Sequence, residues 1–177
     1  MSSIKSISDG LALDKDREVW LQNWLSLFGA WVYSGRLEKR QSSIIAEFMA
    51  RVERRDYPER EMCNDDDGML IAKVVDKIYH IDRIAFTLLL LRYAFGSSDR
   101  AIARYYYGIA NPRQMLRRNC TVEYRKPSMS TCRRETKEII RSAEYLIYPH
   151  LYNAFKNRDN EWKIKNKGEN VLTSLSQ

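Results

Sequence analysis

The sequence predicts an all-α fold: one compact helical domain that carries a helix-turn-helix with a long basic loop. Three observations lead there. Apolar side chains recur at three- and four-residue steps in successive stretches, which is the spacing of one helix face. Those stretches begin at capping residues and stop at glycine or proline. With 177 residues, 44% of them hydrophobic, the chain can also bury one sizeable core without disulfide or metal staples.

Residues 1–13 are Ser-rich and read as a flexible N-terminus. Residues 14–33 form an amphipathic helix with Trp20, Trp24, Leu27, Phe28 and Trp31 on one stripe. Their large apolar area makes these side chains anchors of the fold. Gly29, next to Ala30, allows another helix to come close. After a polar break around Gly35, residues 42–54 form a second helix with Ile44, Ile45, Phe48, Met49 and Val52 inward. Arg51, Arg54, Arg55 and Arg60 give its end a cationic character. Tyr57-Pro58 closes the segment, because proline disfavours helix in the residue before it.

The motif CNDDDG (63–68) opens a third helix built on Met69, Leu70, Ala72, Val74, Val75 and Ile78. Its aspartates admit three readings. They can cap the helix, since carboxylates satisfy the free N–H groups of the first turn and suit the positive helix end. They can bind a divalent cation, which wants oxygen ligands. They can also dock onto a basic partner, for which Asp65, Asp66 and Asp67 are the candidates. Neighbouring residues at a helix start point in different directions, so capping is the preferred reading and no metal site is assigned. Residues 81–95 then form a helix apolar on nearly every face, ended by Gly96, around which the others should pack.

Residues 97–148 hold two helices and the basic connection between them. Ser98 caps the first, residues 99–107, with Ala101, Ile102 and Tyr105 as its inward face. The connection, residues 108–130, is too long for an ordinary helix-turn-helix turn. Within it Asn111-Pro112 suits a short helix over PRQMLRR, and CTVEYRKP looks extended. Arg113, Arg117, Arg118, Arg125 and Lys126, with Tyr124 interleaved, make this loop a candidate phosphate- or groove-contacting arm.

The second helix starts near Ser130, after Pro127, with Ser128, Ser130 or Thr131 as cap. Cys132, Thr136, Ile139, Ile140, Ala143, Leu146 and Ile147 form its packing stripe. Arg134, Lys137 and Arg141 share another face, with Arg133 beside them. One face packs and the other is cationic, as in a helix presented to the major groove; a merely solvated surface helix is the plainer alternative. Tyr148-Pro149-His150 interrupts or kinks this helix, residues 151–155 resume it, and residues 156–177 read as a polar, mobile tail. The domain therefore spans 14–155, with its DNA-binding part at 97–148.

Charge is divided unevenly. Residues 92–177 hold 17 Lys/Arg against 8 Asp/Glu, whereas residues 1–91 hold 13 against 15. A concentration of positive charge suggests a polyanion, because each neutralised phosphate releases condensed counterions. Nucleic acid fits better than a membrane, since the basic residues flank a polar loop and not a wide apolar face. Cys63, Cys120 and Cys132 are odd in number and widely spaced, and with His80 and His150 alone a structural zinc is not expected. No signal core or membrane-length apolar run is present, so a soluble protein of the reducing cytoplasm is expected. Phosphate-loop, dinucleotide and triad motifs are missing; no catalytic residue and no cofactor is assigned.

Several signatures occur in a telling order: Trp24 with GAW (29–31), SSIIAEF (42–48), CNDDDG (63–68), DRAIAR (99–104) and TCRRE…AE (131–144). Together they resemble the antitermination protein Q family of lambdoid bacteriophages, the branch without a zinc finger. The resemblance implies a phage late-gene regulator acting in the cytoplasm of the bacterial host. Such a protein binds double-stranded DNA near the late promoter and loads onto promoter-proximally paused RNA polymerase with its sigma factor. It then acts at the RNA exit channel, near the nascent RNA, so that the enzyme reads through pauses and terminators. It also implies a helix-turn-helix like that of sigma region four. On that basis DRAIAR, with Arg100 and Arg104, is the supporting helix. The front of the reading helix is residues 131–141, so that Ser130, Thr131, Arg133, Arg134, Lys137 and Arg141 meet DNA. Two other functions compete: a metal-dependent nuclease using Asp65, Asp66 and Asp67, and a simple helix-turn-helix repressor.

Overall fold

In a computed structural model, the structure describes residues 4, 8, 11–37, 43–51, 60–116 and 122–174. The expected roles of Val52, Arg54, Arg55, Tyr57-Pro58, Arg117, Arg118 and Cys120 fall outside these residues.

The chain begins with α1 (Lys15–Tyr33), capped by Asp14, whose side chain accepts from the Arg17 N–H. A short α2 (Ile44–Ala50) follows, capped by Ser43. Next come α3 (Asp65–Ile81) and α4 (Arg83–Tyr93), which meet at Asp82. There the backbone turns extended, and the carboxylate accepts from the Ile84 and Ala85 N–H groups at 2.9 and 3.0 Å. What reads in sequence as one apolar run starting at Ile81 is thus split by a capping aspartate. α5 (Asp99–Ile109), the strands β1 (Arg113–Leu116) and β2 (Val122–Arg125), and the long α6 (Met129–Ser174) complete the order.

The helices share one core. α4 packs against α1, α3, α5 and α6 and buries Ala85, Phe86, Leu88, Leu89 and Leu90, as its all-round apolar sequence demands. α1 buries Leu21, Leu25, Phe28, Trp31 and Val32. Trp20 and Trp24 are half-buried and build an aromatic seam with Tyr148, Tyr152 and Phe155 of α6. Gly29 provides the expected close approach: a Cβ there would lie 2.1 Å from the Tyr93 carbonyl oxygen at the end of α4.

Several expectations need correction. PRQMLRR does not open a helix, because Arg113–Leu116 pairs antiparallel with Val122–Arg125. A helix that short is marginal alone, whereas the hairpin satisfies both backbones at once. On α5 the inward residues are Ile102, Ala103 and Tyr106; Ala101 and Tyr105 are exposed. Pro149 lies within α6 without ending it. The aromatic seam and the buried Leu151 and Phe155 on its far side offset the hydrogen bond that proline forfeits. The segment from Lys156, expected as a polar tail, continues as helix to Ser174, and Arg158 pairs with Asp67. In the N-terminal stretch expected to be flexible, Ile4 is fully buried and the Ser8 hydroxyl donates to Ser142 Oγ at 2.8 Å.

Candidate nucleic-acid interface

α5, the hairpin and the front of α6 form the basic end of the molecule. Ser98 caps α5 by accepting from the Ala101 N–H at 3.3 Å. Ile102 and Ala103 are buried, leaving Arg100 and Arg104, one helical turn apart, on the exposed face. Asp99 ties the helix down on both sides, to Arg92 of α4 at 3.5 Å and to Lys137 of α6 at 3.1 Å. The Lys137 ammonium holds the Asp99 carboxyl below the usual aspartate range.

α6 is capped by Ser128. Its Oγ accepts from the Thr131 N–H at 3.2 Å and lies 2.9 and 2.8 Å from the hydroxyls of Ser130 and Thr131. The packing stripe is as the spacing requires: Cys132, Thr136, Ile139, Ile140, Ala143 and Ile147 are buried and Leu146 is half-buried. Arg133 and Arg134 project outward from the first turns, with the Arg134 side chain 74% exposed and only a loose 4.0 Å approach to Glu138. Arg141 lies further along, on the wall of a cavity of about 110 Å³ shared with Glu18, Gln22, Arg92 and Glu144.

Both strands of the hairpin are tied at their open end. The Arg113 guanidinium donates to Glu135 of α6, and the Tyr106 hydroxyl of α5 donates to the same carboxylate at 3.3 Å. Burial, and then the Glu135 charge, push the Tyr106 phenol up. Just past the second strand Lys126 donates to the Gly108 carbonyl at 3.4 Å and stands 5.5 Å from the Tyr107 ring. Tyr124 is 72% exposed. The structure thus gathers Arg100, Arg104, Arg125, Lys126, Ser130, Arg133 and Arg134 at one end, while Lys137 and Arg113 are held by carboxylates of the protein itself. Arg117 and Arg118 lie outside the described residues. In sequence Asp99 marks only the start of its helix and Glu135 only a place in TCRRE; that both arrange this end depends on partners outside their own segments.

The acidic motif is built differently. Asn64 caps α3, accepting from the Asp67 N–H at 2.8 Å and donating to Asp67 Oδ2 at 2.7 Å. Asp67 is buried and pairs with Arg158. Asp65 accepts from Trp31 Nε1 at 2.8 Å and lies 3.6 Å from Arg36. Asp66 alone of the three is exposed. Among the described residues, no three His, Cys, Asp or Glu side chains converge as a metal-binding group would require. The thiol of Cys63 beside this motif is buried, and burial together with the Asp67 charge raises its pKa to about 11. No helix among the described residues is long and apolar enough to cross a membrane.

Residues 18–123 match the family described as phage antitermination protein Q. No curated protein sequence matches the chain. Among solved structures, transcription antitermination factor Q21 is 55% identical, with a TM-score of 0.76 over 85% of this chain and 99% of that one. The same factor in complex with Q21-binding-element DNA gives 55% identity and a TM-score of 0.77 over the same shares. The crystal structure of the bacteriophage 21 Q protein gives 54% and 0.73, covering 84% of this chain and 98% of that one.

Proposed function

Because the chain belongs to the phage antitermination protein Q family, we propose that it is a phage late-gene antiterminator that binds double-stranded DNA near the late promoter. It then loads onto promoter-proximally paused bacterial RNA polymerase carrying sigma factor, acts at the RNA exit channel near nascent RNA, and lets the enzyme read through pauses and terminators. Its place of action is the cytoplasm of the bacterial host.

The observation that carries this reading is the exposed cationic end on a fold shared with a factor solved on its DNA element. Arg133 and Arg134 at the front of α6 are the base-contact candidates, since the N-terminal residues of a reading helix come closest to base edges. Arg100, Arg104 and Lys126 are the phosphate candidates, with Arg117, Arg118 and Arg125 assigned to that role from sequence alone. Ser130 and Thr131, already engaged with Ser128, offer hydroxyls to the backbone. At the acidic corner Asp65 and Asp67 are engaged within the protein, and Asp66 is the remaining candidate for polymerase docking. The test is in vitro transcription through an intrinsic terminator from the cognate late promoter with purified protein. Read-through that depends on the DNA element supports the proposal. Binding to the element without any read-through would make the protein a repressor instead.

A further inference from the structure

The hairpin's own geometry sorts its residues. Directly opposed residues of an antiparallel pair project from the same face, and successive residues alternate. The register pairs Arg113 with Arg125 and Gln114 with Tyr124. Arg113 and Arg125 therefore share one face, and Gln114 and Tyr124 share the other. Two like charges directly opposed would push the strands apart. Arg113 escapes this because the Glu135 carboxylate of α6 accepts from it, while also accepting from the Tyr106 hydroxyl of α5. Its side chain is 41% exposed and that of Glu135 only 12%. Gln114 and Tyr124 are exposed, and both belong to the uncharged residue types that hydrogen-bond phosphates.

We propose that Glu135 is the positioning residue of the DNA interface: it holds Arg113 and Tyr106 so that the hairpin stands as a wing beside the front of α6. Arg113 is then an internal strut and contacts no phosphate, and the wing meets the duplex through the opposite face, at Gln114 and Tyr124. This rests on the proposed DNA binding by α6. Glu135 sits one residue after Arg134, so the turn that presents the base-contact side chain also fixes the wing. Reader and wing keep a constant offset as a result.

The experiment measures binding to a random-sequence 40-base-pair duplex over a salt series, for folded variants matched by thermal melting. Arg113→Ala and Glu135→Ala should each weaken binding about fivefold at low salt with an unchanged log–log slope. A true phosphate contact would instead lose about 0.9 from that slope. Tyr124→Ala should weaken binding to a similar extent. The exchanged pair, Arg113→Glu with Glu135→Arg, should restore affinity to within twofold of the parent. A shallower slope in Arg113→Ala, an exchanged pair no better than the single variants, or full affinity in Tyr124→Ala would overturn the proposal. The strut is also read without DNA, by amide hydrogen exchange. Glu135→Ala should speed exchange in β1 and β2 about tenfold and leave α4 unchanged, and equal protection of the hairpin would overturn it. A parent protein that binds no duplex at all would sink the proposed function, while the exchange result would still decide the strut.

Discussion

The acidic corner at the start of α3 and the basic end around α5 and α6 use charge in opposite ways. At the corner, Asp65 and Asp67 meet partners from α1, the α1–α2 turn and the far part of α6, through Trp31, Arg36 and Arg158. Its charges are spent on joining elements distant in sequence. At the basic end the carboxylates Asp99 and Glu135 hold Arg92, Lys137 and Arg113, while Arg100, Arg104, Arg133 and Arg134 face outward. A run of three aspartates is therefore mostly architecture, and a looser scatter of arginines is the surface with chemistry to offer. The partners decide, not the density of charge.

The comparison breaks most visibly if the corner is crowded. A Cβ at Gly68 would lie 2.5 Å from the Trp31 ring. Gly68→Ala should cost about 3 kcal/mol and lower Tm by roughly 10 °C, while duplex affinity measured well below Tm stays unchanged. A stable variant with weakened DNA binding would reverse the two assignments.

At the basic end the reverse pattern is expected. Arg134→Ala should leave the stability within about 0.5 kcal/mol of the parent. Its DNA affinity should fall by roughly 1–3 kcal/mol, with relaxed preference at one base position. Arg141→Ala should weaken binding without changing that preference. Selection from a randomised duplex pool measures both. Unchanged preference in Arg133→Ala and Arg134→Ala alike would move base reading to another element.

A smaller effect tests the link between corner and helix end. Arg158→Ala leaves Asp67 buried with Asn64 as its remaining side-chain partner and should cost about 1–2 kcal/mol in chemical denaturation. The salt series on DNA should be indistinguishable from the parent.

The smallest effect concerns Glu144, buried where α1, α4 and α6 meet, which accepts from the Tyr93 hydroxyl and from Gln22. Burial raises its pKa above the usual glutamate range. The unfolded chain thus ionises first, and stability declines as pH rises from the ordinary glutamate value through the raised folded one. Glu144→Gln removes this decline. It should be neutral or stabilising by under about 1 kcal/mol at pH 7, with the gain vanishing below about pH 3, well under the ordinary glutamate value, where both states are protonated. A variant equally destabilised at both pH values would show that the hydrogen-bond geometry, not the charge, governs the site.

Much of this was legible in the chain. Periodicity identified the stripe of α6 from Cys132 to Ile147, and local chemistry identified the cap at Ser98 and counted Ser128 among the candidates for α6. The outward arginine at the front of α6, Arg134, followed from the same helical spacing. What stayed hidden depends on partners remote in sequence. PRQM has no strand signal of its own until Val122–Arg125 lies beside it. Tyr105 and Tyr106 are equally plausible inward residues until Glu135, 29 residues beyond Tyr106, takes the latter's hydroxyl. Pro149 reads as an interruption or a kink because local propensity does not see Trp20 and Trp24 packing across it.

One feature of α6 bears on how the protein meets a large machine. Its 46 residues, at a rise of 1.5 Å each, give a contour of about 69 Å. The proposed reading turns occupy one end of that rod, the middle is clamped in the core, and the other end runs past the acidic corner. A tilt of about 5° at the DNA would carry the far end through roughly 6 Å, about the rise of one helical turn. On the proposed DNA binding, the fold is a lever arm: a small change in how the first turns seat in a groove is enlarged into a change of reach at the opposite pole.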